Sequence, residues 1–586
     1  MTLDGLDFLV LALGDHIKPD GAIWDPVLNR RTPDNHYAHT SLGLALSVRG
    51  DPRWKLVLEN WLKLDPASRG HHPFNRLNLL LLRSVALEAD SPPEEAVVRL
   101  SRAIDACPLA KSYPSNNWAL LAQLCRILES SSTSGSQRSL DEFFKLLDVW
   151  TSPSGAFIDF PRDPSVSAAT PMAYHHKALF LASVASWHCD DSELVDRLTT
   201  LLLWSLRTWD GAGHAGGMGR STHALFGDAC LVASLLLLGL DEDAVGAQIL
   251  EGIMVRLKSQ RREDGLYWLN PGLGGGMTSW DGYMCLSVYN AWFAGIVSWA
   301  SHLRATKALP GCLQSGPGAV SLVRHLSDLP ANGQQSAAEF AKCTRDEFTA
   351  LVSSSGQPPQ GFSRTEVELR YAGGVPFHVR LGEQVVVPPP CRIAECAIKE
   401  TPALAGWTPI FSHNDRLYGL DVFTNWQVEQ NADGTVILLL SGSPSRLCQV
   451  SPEGLWGRVL AGLDWRVLGG RLSRQRVLRR PTLRSVKAVI EIRINPDDHQ
   501  VVYTIKLDNT EAEVHYLNPL GHTHVASYPV KRLLEVGGSA VDPACLVSAE
   551  LPSAIYQARA SAMPLIRLPL GAFEGTLSLQ WGNALT

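Results

Sequence analysis

The hydrophobic pattern of this 586-residue chain changes its period once, and no other feature restricts the possible folds as strongly. Up to about residue 305, apolar residues recur at the i, i+3, i+4 spacing of amphipathic helices, in about eleven segments. From about residue 362 onward, segments such as FHVRLGEQVVV and QVVYTIKLDN alternate apolar and polar residues, with turns such as NADG and NPDD between them. These periods predict an all-α domain followed by an all-β domain.

Short loops of one type recur between the predicted helices. They are PDGAIWD at Pro19, PSGAFID at Pro153, WDGAGHAGG at Trp209 and EDGLYW at Glu263. Repeated loops between helix pairs indicate helical hairpins in a closed ring or a curved solenoid, and the long helices with irregular spacing favour the ring. We therefore expect an α+β multidomain fold. It comprises an (α/α) toroid of about six helical hairpins over residues 1–305, a linker over 306–345 and an antiparallel β-sandwich over 346–586.

The charge and cysteine content exclude several classes of protein. With 52 basic and 58 acidic residues, the net charge of −6 argues against a nucleic-acid partner, which requires a basic face. The eleven cysteines are scattered through apolar runs, as expected of reduced, buried thiols in a cytosolic protein. The N-terminus lacks the features of a secretory signal, and the longest apolar run, at residues 229–240, is too short to cross a bilayer. We expect a cytoplasmic protein without a membrane partner, and a homo-oligomer is left open.

Motifs that bind cofactors are absent from the sequence. It contains no phosphate loop, dinucleotide fingerprint, zinc-binding HExxH, GxSxG elbow or CxxC pair. Cys391 and Cys396 are the closest pair of cysteines, and without a second pair they do not make a zinc site. The sequence therefore predicts an activity that needs no cofactor and no metal.

Six loops and helix starts of the predicted toroid carry polar and aromatic residues where solvent turns normally carry Lys, Glu and Ser. Each cluster has a structural interpretation, because short polar side chains cap helices and histidines pack at helix starts. In a toroid, however, these segments converge on one central cavity, which is the first place to expect a ligand. The candidate residues are Asn35, His36, Asn117, Trp118, Asp159, Tyr174, His175, His176, Arg220, His223, Asp281 and Tyr283. The same clusters contain Asp163, Asp228, Tyr289 and Asn290.

Two reactions suit these residue types. Hydrolysis of a glycoside needs two carboxylates, and the predicted loops supply Asp159, Asp163 and Asp281. β-Elimination from a uronic acid needs a group that neutralises the sugar carboxylate, such as Asn117 or Arg220. It also needs a base and an acid, for which Tyr174 and His175 are available.

Several motifs follow one another in an order that adds a second line of inference. They are LGLAL at Leu42, NNW at Asn116, SGAFIDF at Ser154 with the helix PMAYHHKALFLA, GRS at Gly219 and WDGYMCLSVYNAWFA at Trp280. Over about residues 15–375 the chain resembles a family of bacterial and fungal toroid proteins long described as a domain of unknown function, some of which are exo-β-glucuronidases. It departs from that family at Ser154, in place of the Asp of a DG turn, and at His223, in place of an aromatic residue. The Asn, Tyr-His and Arg order is also similar to toroidal polysaccharide lyases, and both resemblances imply a uronic-acid site.

We therefore predict a carbohydrate-active enzyme, an exo-acting glycoside hydrolase of the β-glucuronidase type that releases a terminal uronic acid from acidic oligosaccharides. Asp159 and Asp281 are the predicted acid and base, with Tyr174 and His175 beside them. The remaining candidates are predicted to bind the substrate. One alternative is a β-eliminative lyase that uses Tyr174 and His175 as acid and base, and another is a non-catalytic glycan-binding protein.

Overall fold

The computed structural model describes residues 4–88, 94–113, 115–130, 133–159, 172–215, 219, 224–269, 284–314, 333–336, 339–357, 365–387, 390–448, 454–468, 472, 480–519, 523–525, 530–536, 539–541, 546–549, 558–561 and 565–582. The chain divides into two compact units. The first comprises residues 1–166, 170–215 and 221–330, and the second comprises residues 167–169, 216–220 and 331–586. Helices make up most of the first unit and antiparallel strands most of the second.

The helical unit contains the following elements in chain order: α1 (Asp4–Asp15), β1 (Trp24–Asp25), β2 (Arg30–Arg31), α2 (Ala38–Val48), α3 (Arg53–Lys63), α4 (His72–Leu87), α5 (Glu94–Asp105), α6 (Asn116–Glu129), α7 (Thr133–Trp150), α8 (Met172–His188), α9 (Ser192–Arg207), α10 (Ala224–Leu237), a 3₁₀ turn (Leu240–Glu242), α11 (Ala244–Ser259), α12 (Leu286–Thr306) and α13 (Gly311–Gln314). None of the helices that the structure describes is both long and apolar enough to span a membrane.

The even-numbered helices from α2 to α12 form a closed ring. Each packs against the next, and α12 packs back against α2. The odd-numbered helices pack outside this ring, with α3 on α2, α5 on α4, α7 on α6, α9 on α8, α11 on α10 and α1 on α12. The sequence explains why a helix lies outside or inside the ring. The outer helix α5 buries only one stripe, at residues 96, 100, 103 and 104, whereas the inner helix α12 is buried at every residue from 286 to 300. The ring agrees with the predicted toroid and excludes an open solenoid for this unit.

The recurrent loops predicted from the sequence share one conformation. In each, a pair of residues forms an isolated antiparallel bridge: Ile17 with Ile23, Thr151 with Phe157, Trp209 with Ala215 and Arg261 with Tyr267. Each loop also contains a glycine with positive φ, between 83° and 97°. The four loops join α1 to α2, α7 to α8, α9 to α10 and α11 to α12. All of them therefore lead from an outer helix to the next inner helix, and they lie at the end of the ring where inner helices begin.

The second unit contains these strands: β3 (Gly333–Ser336), β4 (Phe340–Arg345), β5 (Phe348–Ser353), β6 (Glu366–Glu368), β7 (Pro376–Leu381), β8 (Gln384–Val385), β9 (Arg392–Ala394), β10 (Ile410–His413), β11 (Arg416–Gly419), β12 (Asn425–Gln430), β13 (Val436–Gly442), β14 (Ser445–Arg446), β15 (Val486–Asn495), β16 (Gln500–Asn509), β17 (His515–Tyr516), β18 (Thr523–Val525), β19 (Val530–Val536), β20 (Ser539–Val541), β21 (Leu546–Ala549), β22 (Ala558–Ser561), β23 (Ile566–Arg567) and β24 (Gly571–Trp581). Its helices are α14 (Glu395–Glu400), a 3₁₀ turn (Pro402–Ala405) and α15 (Gly454–Val467).

The largest sheet of this unit has seven strands in the order β12-β13-β15-β16-β24-β19-β20, and its strand pairs are antiparallel. As the alternating sequence predicts, apolar residues of neighbouring strands face each other on the buried side of the sheet: Ile490 of β15 lies opposite Ile505 of β16, and both are buried. Residues of β4, β5 and β7, which belong to a five-stranded sheet, share a hydrophobic core with this large sheet. The antiparallel prediction agrees with the structure. The strands are divided among several sheets, so the single β-sandwich stays a prediction. Strands β3 and β4 lie within the segment predicted as a linker.

Candidate active site

The inner helices of the ring bring their N-terminal ends together. The polar clusters of the sequence lie at these ends: Asn35 and His36 precede α2, Asn117 and Trp118 are in the first turn of α6, and Tyr174, His175 and His176 are in the first turns of α8. A helix start exposes unpaired N–H groups and the positive end of the helix dipole. The starts of six inner helices at one end of a ring are therefore suited to hold acidic or polar groups.

Aromatic side chains close the ring just inside this end. We call them the aromatic floor: Tyr37, Phe74, Trp118, Tyr174, Phe226, Tyr289 and Trp292. The rings of Tyr37 and Phe74 stack with centroids 4.6 Å apart, and Phe226 stacks on Trp292 at 5.4 Å. Phe74 of α4 also lies 6.4 Å from Phe226 of α10, on the opposite side of the ring. The floor thus takes a residue from each inner helix or its cap, and it fills the axis of the ring with aromatic surface.

Asp159 is buried at the edge of this end and is held by the first turn of α6. Its main-chain carbonyl accepts from the backbone N–H of Asn116 over 2.7 Å. Its Oδ1 accepts from the backbone N–H of Asn117 over 3.3 Å and also from the Nδ2 of Asn117. A carboxylate at this position satisfies unpaired N–H groups of the helix start. The orientation of the predicted catalytic carboxylate is therefore fixed by neighbouring protein groups.

A lysine that the sequence analysis did not select completes this arrangement. The Nζ of Lys177 donates to the Oδ1 of Asn117 over 2.8 Å and lies 3.8 Å from the centre of the Phe74 ring. Burial lowers the pKa of Lys177 to about 7, although the nearby Asp159 carboxylate favours the charged form. The side chains of Lys177, Asn117 and Asp159 thus form a continuous hydrogen-bonded chain beside the aromatic floor. We call it the Lys-Asn-Asp chain.

Asn117 was predicted to bind the substrate, but its side chain is occupied within the protein. Its Nδ2 donates to Asp159 and, over 3.0 Å, to the Oγ of Ser115, while its Oδ1 accepts from Lys177. The amide therefore has both ends engaged, and this favours a role in positioning Asp159 over direct contact with a ligand.

His175, predicted as a catalytic residue, is also fully engaged. Its Nδ1 accepts from the backbone N–H of Phe157 over 3.0 Å, so its Nε2–H donates to the carbonyl of Leu201 over 2.8 Å. The ring is buried, and burial lowers the pKa of His175 to about 4. Because neither nitrogen is available to exchange a proton, the geometry favours a structural role, in which His175 anchors the loop before α8.

The other histidines of these clusters differ in their partners. His36 stacks on His71 with ring centroids 4.5 Å apart, and its buried Nδ1 has no partner among the described residues. Burial lowers the pKa of His36 to about 4, and the neighbouring His71 acts in the same direction. The Nδ1–H of His71 donates to the carbonyl of Asn35 over 2.5 Å. The Nε2 of His176 is likewise buried without a partner in the described part of the chain. His36 and His176 therefore each have a ring nitrogen left over for a further group.

The remaining predicted residues are only partly described. Trp118 is half-buried, with its ring 5.1 Å from that of His71, and Tyr174 is half-buried against Phe226 at 6.3 Å. Asn290 is structural, because its side chain makes hydrogen bonds with the main chain of Tyr267 in both directions. Asp228 forms a buried ion pair with Arg256. The candidates Asp163, Arg220, His223, Asp281 and Tyr283 lie outside the described residues.

Two features of the sequence could have identified the site residues that the sequence analysis did not select. Lys177 follows Tyr174 by three positions, so it shares its helix face, and it is a charged residue in the otherwise uncharged segment PMAYHHKALFLA. Phe74 and His71 lie in the polar segment RGHHPFNR. Among the described residues, no group of three or more His, Cys, Asp or Glu side chains is arranged to hold a metal ion.

No protein-family model and no curated protein sequence matches this chain. Solved structures with some likeness include an α-1,6-mannanase from Salegentibacter, with 13% identity, a TM-score of 0.38 and coverage of 51% of this chain and 99% of that one. The heparan sulfate lyase HepC from Pedobacter heparinus has 9% identity and a TM-score of 0.43, covering 93% of this chain and 75% of that one. An unsaturated glucuronyl hydrolase from Streptococcus agalactiae has 11% identity and a TM-score of 0.36, covering 51% and 90%. Likenesses this weak assign neither a fold nor an activity to this chain.

Proposed function

We propose that this protein is a carbohydrate-active enzyme, an exo-acting hydrolase that releases a terminal uronic acid from an acidic oligosaccharide. The observation that carries the proposal is the Lys-Asn-Asp chain beside the aromatic floor. It holds one of the two carboxylates that glycoside hydrolysis needs in a fixed orientation, next to aromatic rings that can pack against a sugar.

The proposed roles follow from the contacts of each residue. Asp159 is one of the two carboxylates of the reaction. Asn117 holds it in place, and Lys177 in turn holds Asn117. The second carboxylate is proposed to be Asp281. Trp118 and Tyr174, both half-buried at the edge of the floor, offer ring surface to a sugar.

His36 and His176 each have a buried ring nitrogen without a partner among the described residues, and both are proposed to hydrogen-bond sugar hydroxyl groups. The sequence candidates Arg220, His223 and Tyr283 are proposed to bind the sugar carboxylate and its neighbouring hydroxyls. A guanidinium is suited to this role because it pairs with a carboxylate in a bidentate geometry.

A panel of uronic-acid oligosaccharides tests the proposal, with the products followed by ultraviolet absorbance and by mass spectrometry. Hydrolysis gives products that together are heavier than the substrate by one water and that gain no absorbance. If the protein turns over no oligosaccharide of the panel but is still stabilised against heat by one of them, the proposal is contradicted and a non-catalytic glycan-binding protein is indicated.

One observation favours a β-eliminative lyase as the second candidate. Tyr174 is partly accessible at the edge of the floor, where a tyrosine can exchange a proton with a sugar. Elimination gives an unsaturated product that absorbs in the ultraviolet, and the product masses sum to that of the substrate. In that case Tyr174→Phe abolishes turnover, while Asp159→Asn leaves most of it.

A further inference from the structure

Helix α15 presents a large apolar face to solvent. Leu455 and Trp456 are each 79% exposed and Val467 is 71% exposed. Val459, Leu460 and Leu463 are exposed as well, and all six recur at the spacing of one helix face. Soluble surfaces rarely leave so many large apolar side chains together, so a face of this kind marks an interaction surface.

The exposed charges of α15 itself have one sign. Arg458 and Arg466 are exposed on α15 itself. Between residues 454 and 479 the only acidic residue is Asp464. It is buried, and its Oδ1 accepts from the backbone N–H of Leu472 over 2.9 Å. The exposed charges of α15 are therefore basic, although the chain as a whole is acidic.

A second copy of the chain suits this face poorly. A symmetric pair that used α15 on both sides would bring Arg458 and Arg466 of one copy close to those of the other, and like charges in contact destabilise an interface. An anionic lipid surface complements both features, because it accepts apolar side chains below its headgroups and attracts arginine at their level. The helix is about 21 Å long, so it is too short to cross the bilayer and suits a position within its surface.

We propose that α15 binds the surface of an anionic membrane, with Leu455, Trp456, Leu460 and Val467 inserted among the headgroups and Arg458 and Arg466 paired with lipid phosphates. The proposal does not depend on the enzymatic function of the ring. It departs from the sequence-based expectation of no membrane partner, which rested on the lack of an apolar run long enough to cross a bilayer.

Co-sedimentation of the full chain with vesicles tests this proposal. We expect binding to vesicles of phosphatidylcholine with phosphatidylglycerol, little binding to phosphatidylcholine alone, and release at high salt. Trp456→Ser should weaken binding roughly tenfold or more. Replacing Arg458 and Arg466 together by Gln should weaken it by about fivefold for each arginine.

Matched controls use exposed residues elsewhere in the same unit. Leu570→Ser removes an apolar side chain that is 68% exposed, and the pair Arg484→Gln and Lys487→Gln removes the same charge from exposed positions. Neither should change vesicle binding. Binding that is absent, independent of lipid charge or unaffected by Trp456→Ser would overturn the proposal. A solution dimer that Trp456→Ser dissociates, measured by light scattering, would also overturn it by assigning the face to a second copy.

Discussion

A buried lysine is costly to fold around, and Lys177 is fully buried in this protein. Its Nζ donates to the amide oxygen of Asn117 and lies over the Phe74 ring. The same amide also binds the carboxylate, because its Nδ2 donates to the Oδ1 of Asp159. A neutral bridge between two ionisable groups keeps them apart while fixing the position of both, as a site that must hold one carboxylate still requires.

Asp159→Asn tests the proposed carboxylate. We expect the hydrolytic activity to fall by about 10²–10⁴-fold, because an amide can neither donate nor accept a proton as a carboxyl group does. The control is Asp210→Asn. Asp210 is a buried acid in the equivalent loop before α10, where its Oδ1 accepts from the backbone N–H groups of Ala212, Gly213 and His214. A folded Asp159→Asn protein that keeps full activity would remove Asp159 from the mechanism.

Lys177→Met tests the protonation of the buried lysine through its effect on stability. The unfolded chain keeps this proton up to a pH near 10.5, whereas the folded protein releases it at about 7, so the unfolded state binds more protons between these values. The contribution of Lys177 to stability therefore rises with pH across this window. Methionine has no such dependence. The Met variant should gain about 3 kcal/mol relative to the natural protein when the pH falls from 9 to 6.

Urea unfolding at both pH values measures this difference. Lys145→Met is the control, since Lys145 is 69% exposed on α7. Equal shifts for Lys177→Met at pH 6 and pH 9 would show that Lys177 titrates in the folded protein as it does in the unfolded chain.

At the scale of the elements, the loops that enter the inner helices are held by residues of the following helix. Before α8, the N–H of Phe157 donates to the Nδ1 of His175. Before α12, the N–H of Tyr267 donates to the Oδ1 of Asn290. Two different side chains thus perform the same task at equivalent places, which explains why polar residues recur at the starts of the inner helices without all of them being available to a substrate.

Glycine-to-alanine substitutions test these loops. Gly21 has a φ of +88°, and a Cβ there would lie 2.3 Å from the carbonyl oxygen of Leu56, while the Cβ at Gly155 would lie 3.0 Å from that of Thr200. Gly50 has a φ of +67° with nothing within 4 Å. We expect Gly50→Ala to cost about 1 kcal/mol from the backbone alone. Gly155→Ala should cost more, and Gly21→Ala the most. Equal losses in urea unfolding would show that contact with the neighbouring helix has no part in holding the loops.

At the scale of the whole molecule, closure of the ring depends on the packing of α12 against α2. A Cβ at Gly295 of α12 would lie 2.6 Å from the carbonyl oxygen of Ser41 in α2, so a glycine is needed for this close approach. Gly295→Ala should therefore destabilise the protein by about 1–3 kcal/mol, even though alanine is the better helix former.

Gly43→Ala provides the comparison, at a position of α2 that faces α4 rather than α12. Its Cβ would lie 3.5 Å from the Cδ1 of Leu82, an ordinary contact, and we expect it to be neutral or slightly stabilising. Thermal unfolding of both variants checks the prediction. A Gly295→Ala protein as stable as the Gly43→Ala protein would mean that α12 and α2 can move apart at Gly295 without loss of stability.

The sequence by itself determined the order of the two units, the amphipathic helices and the recurrent glycine loops, because these depend on the spacing of residues close together in the chain. It also identified the polar clusters at the starts of the inner helices. Only the tertiary structure decided what each cluster does. Lys177 meets Asn117 from 60 positions away, and His175 is engaged by a loop and by the carbonyl of Leu201. Burial and hydrogen-bond partners come from such distant contacts, and local spacing carries no information about them.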